Sequence, residues 1–307
     1  MKSGHSMARN IRFSLMGHIL NPLWWPRIKR RQRREKYRYE RAAHYLSRYH
    51  DAIISLPFED RRDNDRSSER IFTIWFQGLH EAPKLVSVCI ERLRNVYGNR
   101  VVILDSTNLR EWVELPDYIW QKWEAGVITR AHFSDLCRIA MLYQHGGMWF
   151  DATDFLTSRV PEWVEKDDMF LYAAGDVVTP HSLIQSCFMR ACKGHPLFGA
   201  WLHAMEEFWK EEDKVVDYFL LHYMLRYMVE NNPQAAKLFA AMPSVDQDPT
   251  HILWFEHHKA PFSQELYDRD TKDAFFQKTT FKTSDAYRPK PGTVADYIVN
   301  NKIPCPK

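Results

Sequence analysis

The sequence predicts an α/β chain: a Rossmann-type fold with a mostly parallel central sheet and additional C-terminal helices. Three stretches predict it. Ile71-Phe72-Thr73-Ile74-Trp75-Phe76 is an unbroken apolar run rich in β-formers, the pattern of a strand covered on both faces. Leu85, Val86, Cys89, Ile90 and Leu93 then recur at helical spacing before a second apolar run, Val101-Val102-Ile103-Leu104, which completes a βαβ unit. Over residues 129–157 a helix runs into a glycine pair and then into a strand that ends in acids.

At 307 residues, with 45% hydrophobic and 14% aromatic content, the chain can fill a large core and is not disordered by composition. Its five cysteines, Cys89, Cys137, Cys187, Cys192 and Cys305, are scattered and show no C-x-x-C spacing, which offers no zinc signature and favours a reducing compartment. Cys137 falls on the apolar face of its helix. The net charge of +3 conceals an asymmetry: residues 1–50 carry 13 Lys and Arg against Glu35 and Glu40, leaving 29 basic and 37 acidic residues beyond them. A basic helical arm and linker over residues 1–69 and one large domain over residues 70–307 are expected.

The arm opens with an apolar stretch, residues 11–26, that holds Arg12, His18 and Asn21 and falls short of the roughly 20 apolar residues a membrane span needs. A polybasic run, R-I-K-R-R-Q-R-R-E-K, follows in place of a small-residue cleavage site, so neither a spanning helix nor a cleavable signal is expected. Trp24 and Trp25 beside that run suit the boundary between acyl chains and anionic headgroups. Peripheral attachment to an anionic membrane through residues 11–41 is the favoured reading, and a solvated face or a subunit contact is the other. Nucleic acid is not expected, because the body is acidic and no recognition module accompanies the basic run. Tyr45, Leu46, Tyr49, Ile53 and Ile54 predict a helix over 37–56, and the charged stretch 59–70 predicts an exposed linker.

Between residues 130 and 145, Phe133, Leu136, Cys137, Ala140 and Met141 form one helical face, while Asp135 and Arg138, three apart, are neighbours on another. Gly146 and Gly147 end the helix and reverse the chain into Met148-Trp149-Phe150. Asp151 falls where that strand stops. Ligands of open α/β sheets bind beyond the carboxyl ends of strands. A tip carrying Asp151, Thr153 and Asp154 therefore suits a hard divalent cation, Mn²⁺ or Mg²⁺, whose other positions are filled by water and phosphate oxygens. An Asp after a strand is also a common turn former, and an Asp/Arg pair on a helix is often a surface ion pair worth under about 1 kcal/mol. The whole constellation, rather than D-x-x-D alone, carries the reading. Neither G-x-G-x-x-G nor G-K-[ST] is present, so a phosphate-bearing ligand would rely on the cation.

S-D-L-C-R-I-A-M-L-Y-Q-H-G-G-M-W-F-D-A-T, residues 134–153, resembles the signature of the capsular polysaccharide synthesis proteins. More broadly it resembles the DXD-containing sugar transferases that include Och1-type mannosyltransferases and the clostridial glucosylating toxins. The second acid of D-x-D falls on Thr153 here, with Asp154 one place later. The resemblance covers about residues 70–285. It implies a GT-A-like nucleotide-sugar-binding fold and a metal-dependent, retaining hexosyltransferase that uses a UDP-sugar and serves a bacterial capsule, surface glycan or lipid-linked acceptor.

Carried over residue by residue, the resemblance assigns Asp151 to the metal, assisted by Thr153 or Asp154, and gives Asp135 and Arg138 to the donor's ribose or sugar hydroxyls. I-W-F-Q-G places Trp75 against the nucleotide base, with Gln77 beside it. Asp105 and Asn108, at the next strand tip, lie near the ribose by the same resemblance, although both residue types also form turns. Lys278-Thr279-Thr280-Phe281-Lys282 resembles the family's closing K-L-T-y-K, which implies that Lys282 neutralises the diphosphate leaving group. Gln185 and Ser186 stand where relatives carry Ser-Asn, and Asp217-Tyr218-Phe219 recurs in the capsular branch. The implied location is the cytoplasmic face of the inner membrane. Two other readings use the same residues: a metal-dependent phosphohydrolase, although D-x-D-x-T is missing, and a non-catalytic nucleotide-sugar binder that keeps Trp75 and Asp135.

Overall fold

The computed structural model describes residues 25–55, 57–62, 70–174 and 182–306. The apolar stretch 11–24 with Trp24, the side chain of Trp25 and positions 63–69 of the expected linker lie outside the described residues. The helices of eight or more residues are α1 (Trp25–Leu46), α2 (Lys84–Tyr97), α3 (Asp117–Glu124), α4 (Arg130–His145), α5 (Pro196–Glu211), α6 (Leu220–Asn231), α7 (Pro233–Ala240) and α8 (Gln264–Thr271). The strands are β1 (Ile71–Ile74), β2 (Val101–Leu104), β3 (Gly147–Phe150), β4 (Asp154–Leu156), β5 (Met169–Ala173), β6 (Ile184–Ala191) and β7 (Phe276–Lys278).

Five strands form the central sheet in the order β2-β1-β3-β6-β5. β1 is parallel to both β2 and β3, whereas β6 lies antiparallel between β3 and β5. Four strands therefore share one direction, and the mixed α/β fold with a mostly parallel sheet is as the βαβ pattern predicts. The apolar runs are continuous because both faces are covered. Phe72, Trp149, Leu171 and Met189 face a layer built from α4, α5 and α6. Ile71, Met148, Phe150, Phe170 and Phe188 face Leu93 and Val96 of α2 together with Phe275 and Phe276.

α1 begins upstream of the helix predicted over 37–56. The polybasic run consists mainly of Arg, Lys, Gln and Glu, all good helix formers, and Pro26 is tolerated in a first turn. Its inward stripe of Glu35, Tyr39, Ala42 and Leu46, spaced three and four apart, is buried, and the helix packs on α6, where Tyr39 meets Tyr223 with ring centres 5.6 Å apart. Among the described residues no helix is long and apolar enough to cross a membrane. All five cysteines are free, and Cys137 is buried as its helical face predicts.

Two local devices deliver the acids. Gly146 ends α4 at φ 69°, and a Cβ there would come within 2.5 Å of the Lys193 backbone nitrogen, so the turn into β3 requires glycine. β3 then runs into the core and releases the chain at Asp151. Beyond it, β4 and β7 pair as a separate antiparallel ribbon in which Asp154 stands directly opposite Lys278.

Candidate active site

Asp151 emerges at the end of β3, and Asp154 three residues later folds back on it: the Asp154 N–H donates to the Asp151 carbonyl at 2.9 Å, and the Asp151 N–H donates to Asp154 Oδ2 at 3.2 Å. Three oxygens then converge on one cation. Lys278 Nζ donates to Asp151 Oδ2 at 2.7 Å, Thr153 Oγ1 at 3.0 Å and Asp154 Oδ1 at 3.2 Å. The strand register explains its arrival, since directly opposite residues of an antiparallel pair project to the same face. Trp149 Nε1 donates to Asp151 Oδ1 at 2.9 Å and holds the carboxylate from the β3 side.

The Asp135/Arg138 pair joins this cluster from α4. Arg138 Nη2 lies 3.3 Å from Asp135 Oδ1 and 3.5 Å from Asp151 Oδ1, and Arg138 Nη1 donates to the Ser186 carbonyl at 2.8 Å and to Ser186 Oγ at 2.9 Å. Its guanidinium sits 5.1 Å from the Trp149 ring centre. Both members of the pair are buried, unlike the ordinary surface pair of this spacing. His132, one turn earlier, places Nδ1 3.8 Å from Asp135 Oδ2, and that nitrogen is buried with no hydrogen-bond partner.

The electrostatics separate the two acids. Burial would raise the pKa of Asp151, but Lys278 and Arg138 outweigh it and hold the carboxyl below its usual range. Burial dominates for Asp154, whose pKa rises to about 7 despite Lys278, with Asp151 adding to the rise. Burial alone would lower Lys278, yet the two carboxylates raise it above the ordinary lysine value. Access differs too: 24% of the Asp151 side chain is exposed, against 0% for Asp154, so Asp151 is the carboxylate a ligand can reach. Two carboxylates and a hydroxyl are hard-oxygen donors of the kind that suit Mn²⁺ or Mg²⁺, and in this structure all three are taken by the Lys278 ammonium. Among the described residues no group of three or more His, Cys, Asp or Glu side chains is placed to hold a metal.

The other predicted residues are placed unevenly. Trp75, half-buried at the end of β1, packs edge-on against Phe281 with ring centres 5.2 Å apart and lies in the same small apolar cluster as Ala152, next to Asp151. Its Nε1 is buried with no hydrogen-bond partner. Gln77 is exposed. Asp105 accepts from the Thr107 N–H at 2.8 Å, and Asn108 is occupied at both ends, by the Asp105 N–H at 3.0 Å and the Ile103 carbonyl at 3.1 Å. Both therefore build the turn after β2. Lys282 is exposed and makes no ion pair with the acids, whereas Lys278, four residues earlier, sits between them. Gln185 is buried beside Cys187, and Ser186 is the partner of Arg138. Lys278, Trp149 and His132 are site residues that sequence reasoning left out, and Ser186, which it singled out, serves as the anchor of Arg138. A cavity of about 450 Å³ lined by Glu114, Tyr143, Gln144 and Glu206 lies at the far end of α4 and includes none of the acids.

The mixed α/β sheet thus presents paired acids at its strand tips beside a buried Asp/Arg pair from α4. Residues 23–298 match the capsular polysaccharide synthesis protein family, nearly the whole chain, and the protein belongs to that family. It is similar to the O-glycosyltransferase braB of Annulohypoxylon truncatum, at 25% identity over 189 residues, 56% of this chain. It spans 45% of that protein's length, under half of the relative. Among solved structures, the PaToxG glycosyltransferase aligns over 85% of this chain and 96% of its own at 12% identity, with a TM-score of 0.37. That score is too low to support argument from likeness.

Proposed function

We propose that the chain is a metal-dependent, retaining glycosyltransferase of GT-A-like fold that moves a hexose from a UDP-sugar to a growing bacterial capsule, another surface glycan or a lipid-linked acceptor. The observation that carries this reading is the convergence of Asp151, Thr153 and Asp154 on one cationic point beside the buried Asp135/Arg138 pair. Asp151 would hold the cation with its exposed carboxylate, with Thr153 and the sequestered Asp154 behind it. Mn²⁺ or Mg²⁺, when bound, supplies neutralisation of the charge that grows on a departing diphosphate.

The protein's own groups do the rest. Lys278 keeps a permanent positive charge at the same edge, which a diphosphate would also meet. Asp135 accepts and Arg138 donates hydrogen bonds to sugar hydroxyls, with the guanidinium held fixed by Ser186. Trp75 offers its face to the base. Orienting donor and acceptor hydroxyl at fixed positions is itself a large part of the rate. The exposed basic side of α1 supports placement at an anionic membrane surface, the cytoplasmic face of the inner membrane.

Release of free nucleotide from a panel of UDP- and GDP-sugars, with Mn²⁺ and with EDTA, tests the proposal. Metal-dependent release from one donor by wild type, lost in Asp151→Ala, is expected. If the variant keeps full metal-dependent release, the assignment of Asp151 fails. Calorimetric binding of UDP with Mn²⁺ but no release with any added glycan acceptor would favour a non-catalytic binder.

A further inference from the structure

The segment 212–219 between α5 and α6 carries Tyr218, a large side chain that is 60% exposed. Its ring is not adrift. It lies 5.9 Å, centre to centre, from His132, whose Nδ1 is 3.8 Å from Asp135, which in turn pairs with Arg138 beside Asp151. The Tyr218 hydroxyl is within electrostatic reach of Asp135, Arg138, Asp151 and Lys278. An exposed aromatic face thus stands beside a recessed cluster of hydrogen-bonding groups.

What sets this ring comes from the other end of the chain. Arg38, on α1, donates Nε to Asp217 Oδ2 at 3.0 Å and Nη2 to Asp217 Oδ1 at 2.5 Å, and its guanidinium lies 5.1 Å from the Phe219 ring centre. Both neighbours of Tyr218 are therefore gripped by one side chain. Asp217 Oδ1 also accepts from the Phe219 N–H at 3.0 Å, closing the turn that turns Tyr218 outward. Asp217 itself is buried. A bidentate Arg–carboxylate fork fixes orientation as well as distance.

We infer that Tyr218 is a sugar-contacting residue of the site, stacking on the apolar face of a pyranose whose hydroxyls reach Asp135 and Arg138, and that the Arg38–Asp217 fork of the N-terminal helix positions it. A pyranose presents C–H groups on its faces and hydroxyls at its rim, which is the chemistry of a ring wall beside a polar floor. The inference rests on the nucleotide-sugar reading above and extends it. It makes the basic helix a working part of the site and not only an arm attached to it.

Calorimetric titration with UDP and with UDP-glucose and UDP-galactose, all with Mn²⁺, tests it. In Tyr218→Ala the UDP-hexose Kd is expected to rise about threefold to tenfold, the worth of one aromatic contact, with UDP itself within about twofold. Tyr218→Phe keeps the ring and should match wild type. Asp217→Asn, checked to be folded by thermal melting, should reproduce the selective loss of the UDP-hexose in part. Equal shifts for UDP and the UDP-hexose in Tyr218→Ala, or none, would overturn the sugar contact, and unchanged discrimination in Asp217→Asn would overturn the positioning role. If wild type binds neither UDP nor the UDP-hexoses, the parent reading falls and this inference with it.

Discussion

The cluster at the strand tips and the cluster on α1 both bury alternating charges, yet their carboxylates are used differently. On α1, Glu35 is saturated by Arg34 and Arg38, and Asp217 by the Arg38 fork, with side-chain exposures of 3% and 5%. At the strand tips Asp151 keeps 24% of its side chain exposed, and its contact with Arg138, at 3.5 Å, is too long for a good hydrogen bond. The balance of charge also differs. Three carboxylates face Arg138 and Lys278 at the strand tips, whereas two face Arg34, Arg38 and Arg41 on α1. The first cluster keeps an accessible carboxylate, Asp151, whereas the second is closed. A satisfied buried network holds a fold, and a nearly satisfied one with an accessible acid is where chemistry can occur.

The contrast breaks most sharply under isosteric neutralisation. Asp151→Asn keeps the size of the side chain but removes its charge. Nucleotide release is expected to fall by roughly 100-fold or more, since a charge-stabilising group at the leaving phosphate is lost. The melting temperature is expected to fall by no more than about 4 °C, the equivalent of ~1 kcal/mol in a domain of this size. If the fold collapses instead, the strand-tip cluster is structural in the way the α1 cluster is. Asp217→Asn should show the reverse ratio. It removes the fork from Arg38, which keeps Glu35 at 3.0 Å, and costs about 2 kcal/mol, less than for a fully buried pair because 27% of the Arg38 side chain is exposed and one carboxylate partner remains. Urea denaturation should show that loss, with a smaller fall in nucleotide release than in Asp151→Asn.

What the sequence made legible, and what it hid, divides along the same line. The strands at Ile71, Val101 and Met148 announce themselves because a strand covered on both faces must be apolar throughout, and the helix–glycine–strand that delivers Asp151 is local. Strand direction leaves no such mark: the Ile184–Ala191 run reads alike whether parallel or antiparallel, so β6 entering the sheet reversed came only from the structure. Lys278 was hidden for a different reason. It sits on a three-residue strand, too short to show a period, and meets Asp151 across 127 positions. Of the two lysines in K-T-T-F-K, only cross-strand register distinguishes the one opposite Asp154. Ser186 likewise meets Arg138 across 48 positions, and the turn that presents Tyr218 is set by a residue 179 positions away.

A third test asks whether acid sensitivity comes from either cluster. His195, before α5, is 4% exposed and accepts the Leu197 N–H on Nδ1 at 3.3 Å, a role that needs the neutral ring. Burial, then Arg62, lowers its pKa from 6.5 to about 4. The folded protein resists a proton that the unfolded chain accepts, so the contribution to stability is complete above pH 6.5 and is lost as pH falls from 6.5 toward 4. His195→Asn retains a cap acceptor without the titration. The stability difference between wild type and His195→Asn should shift by about 1–3 kcal/mol between pH 7.5 and pH 4.5, by urea denaturation. If that difference holds constant across the range, the acid response lies elsewhere, and the strand-tip cluster is the next place to look.

The smallest effect sharpens the comparison on α1 itself, whose inner and outer faces differ as the two clusters do. Tyr39, Ala42 and Leu46 belong to the core, so truncating the helix would confound docking with folding. Arg30 and Arg33 are exposed on the outer face, and replacing both with Ala should change stability by less than about 0.5 kcal/mol. If that face meets an anionic surface, each lost charge weakens attachment by about 1 kcal/mol, so binding to vesicles containing phosphatidylglycerol should fall roughly tenfold or more at low salt. Added salt should shrink the difference, because the Debye length shortens. Unchanged vesicle binding would remove the membrane role from the outer face and leave α1 with only its inward one: holding Asp217, and through it Tyr218, at the edge of the site.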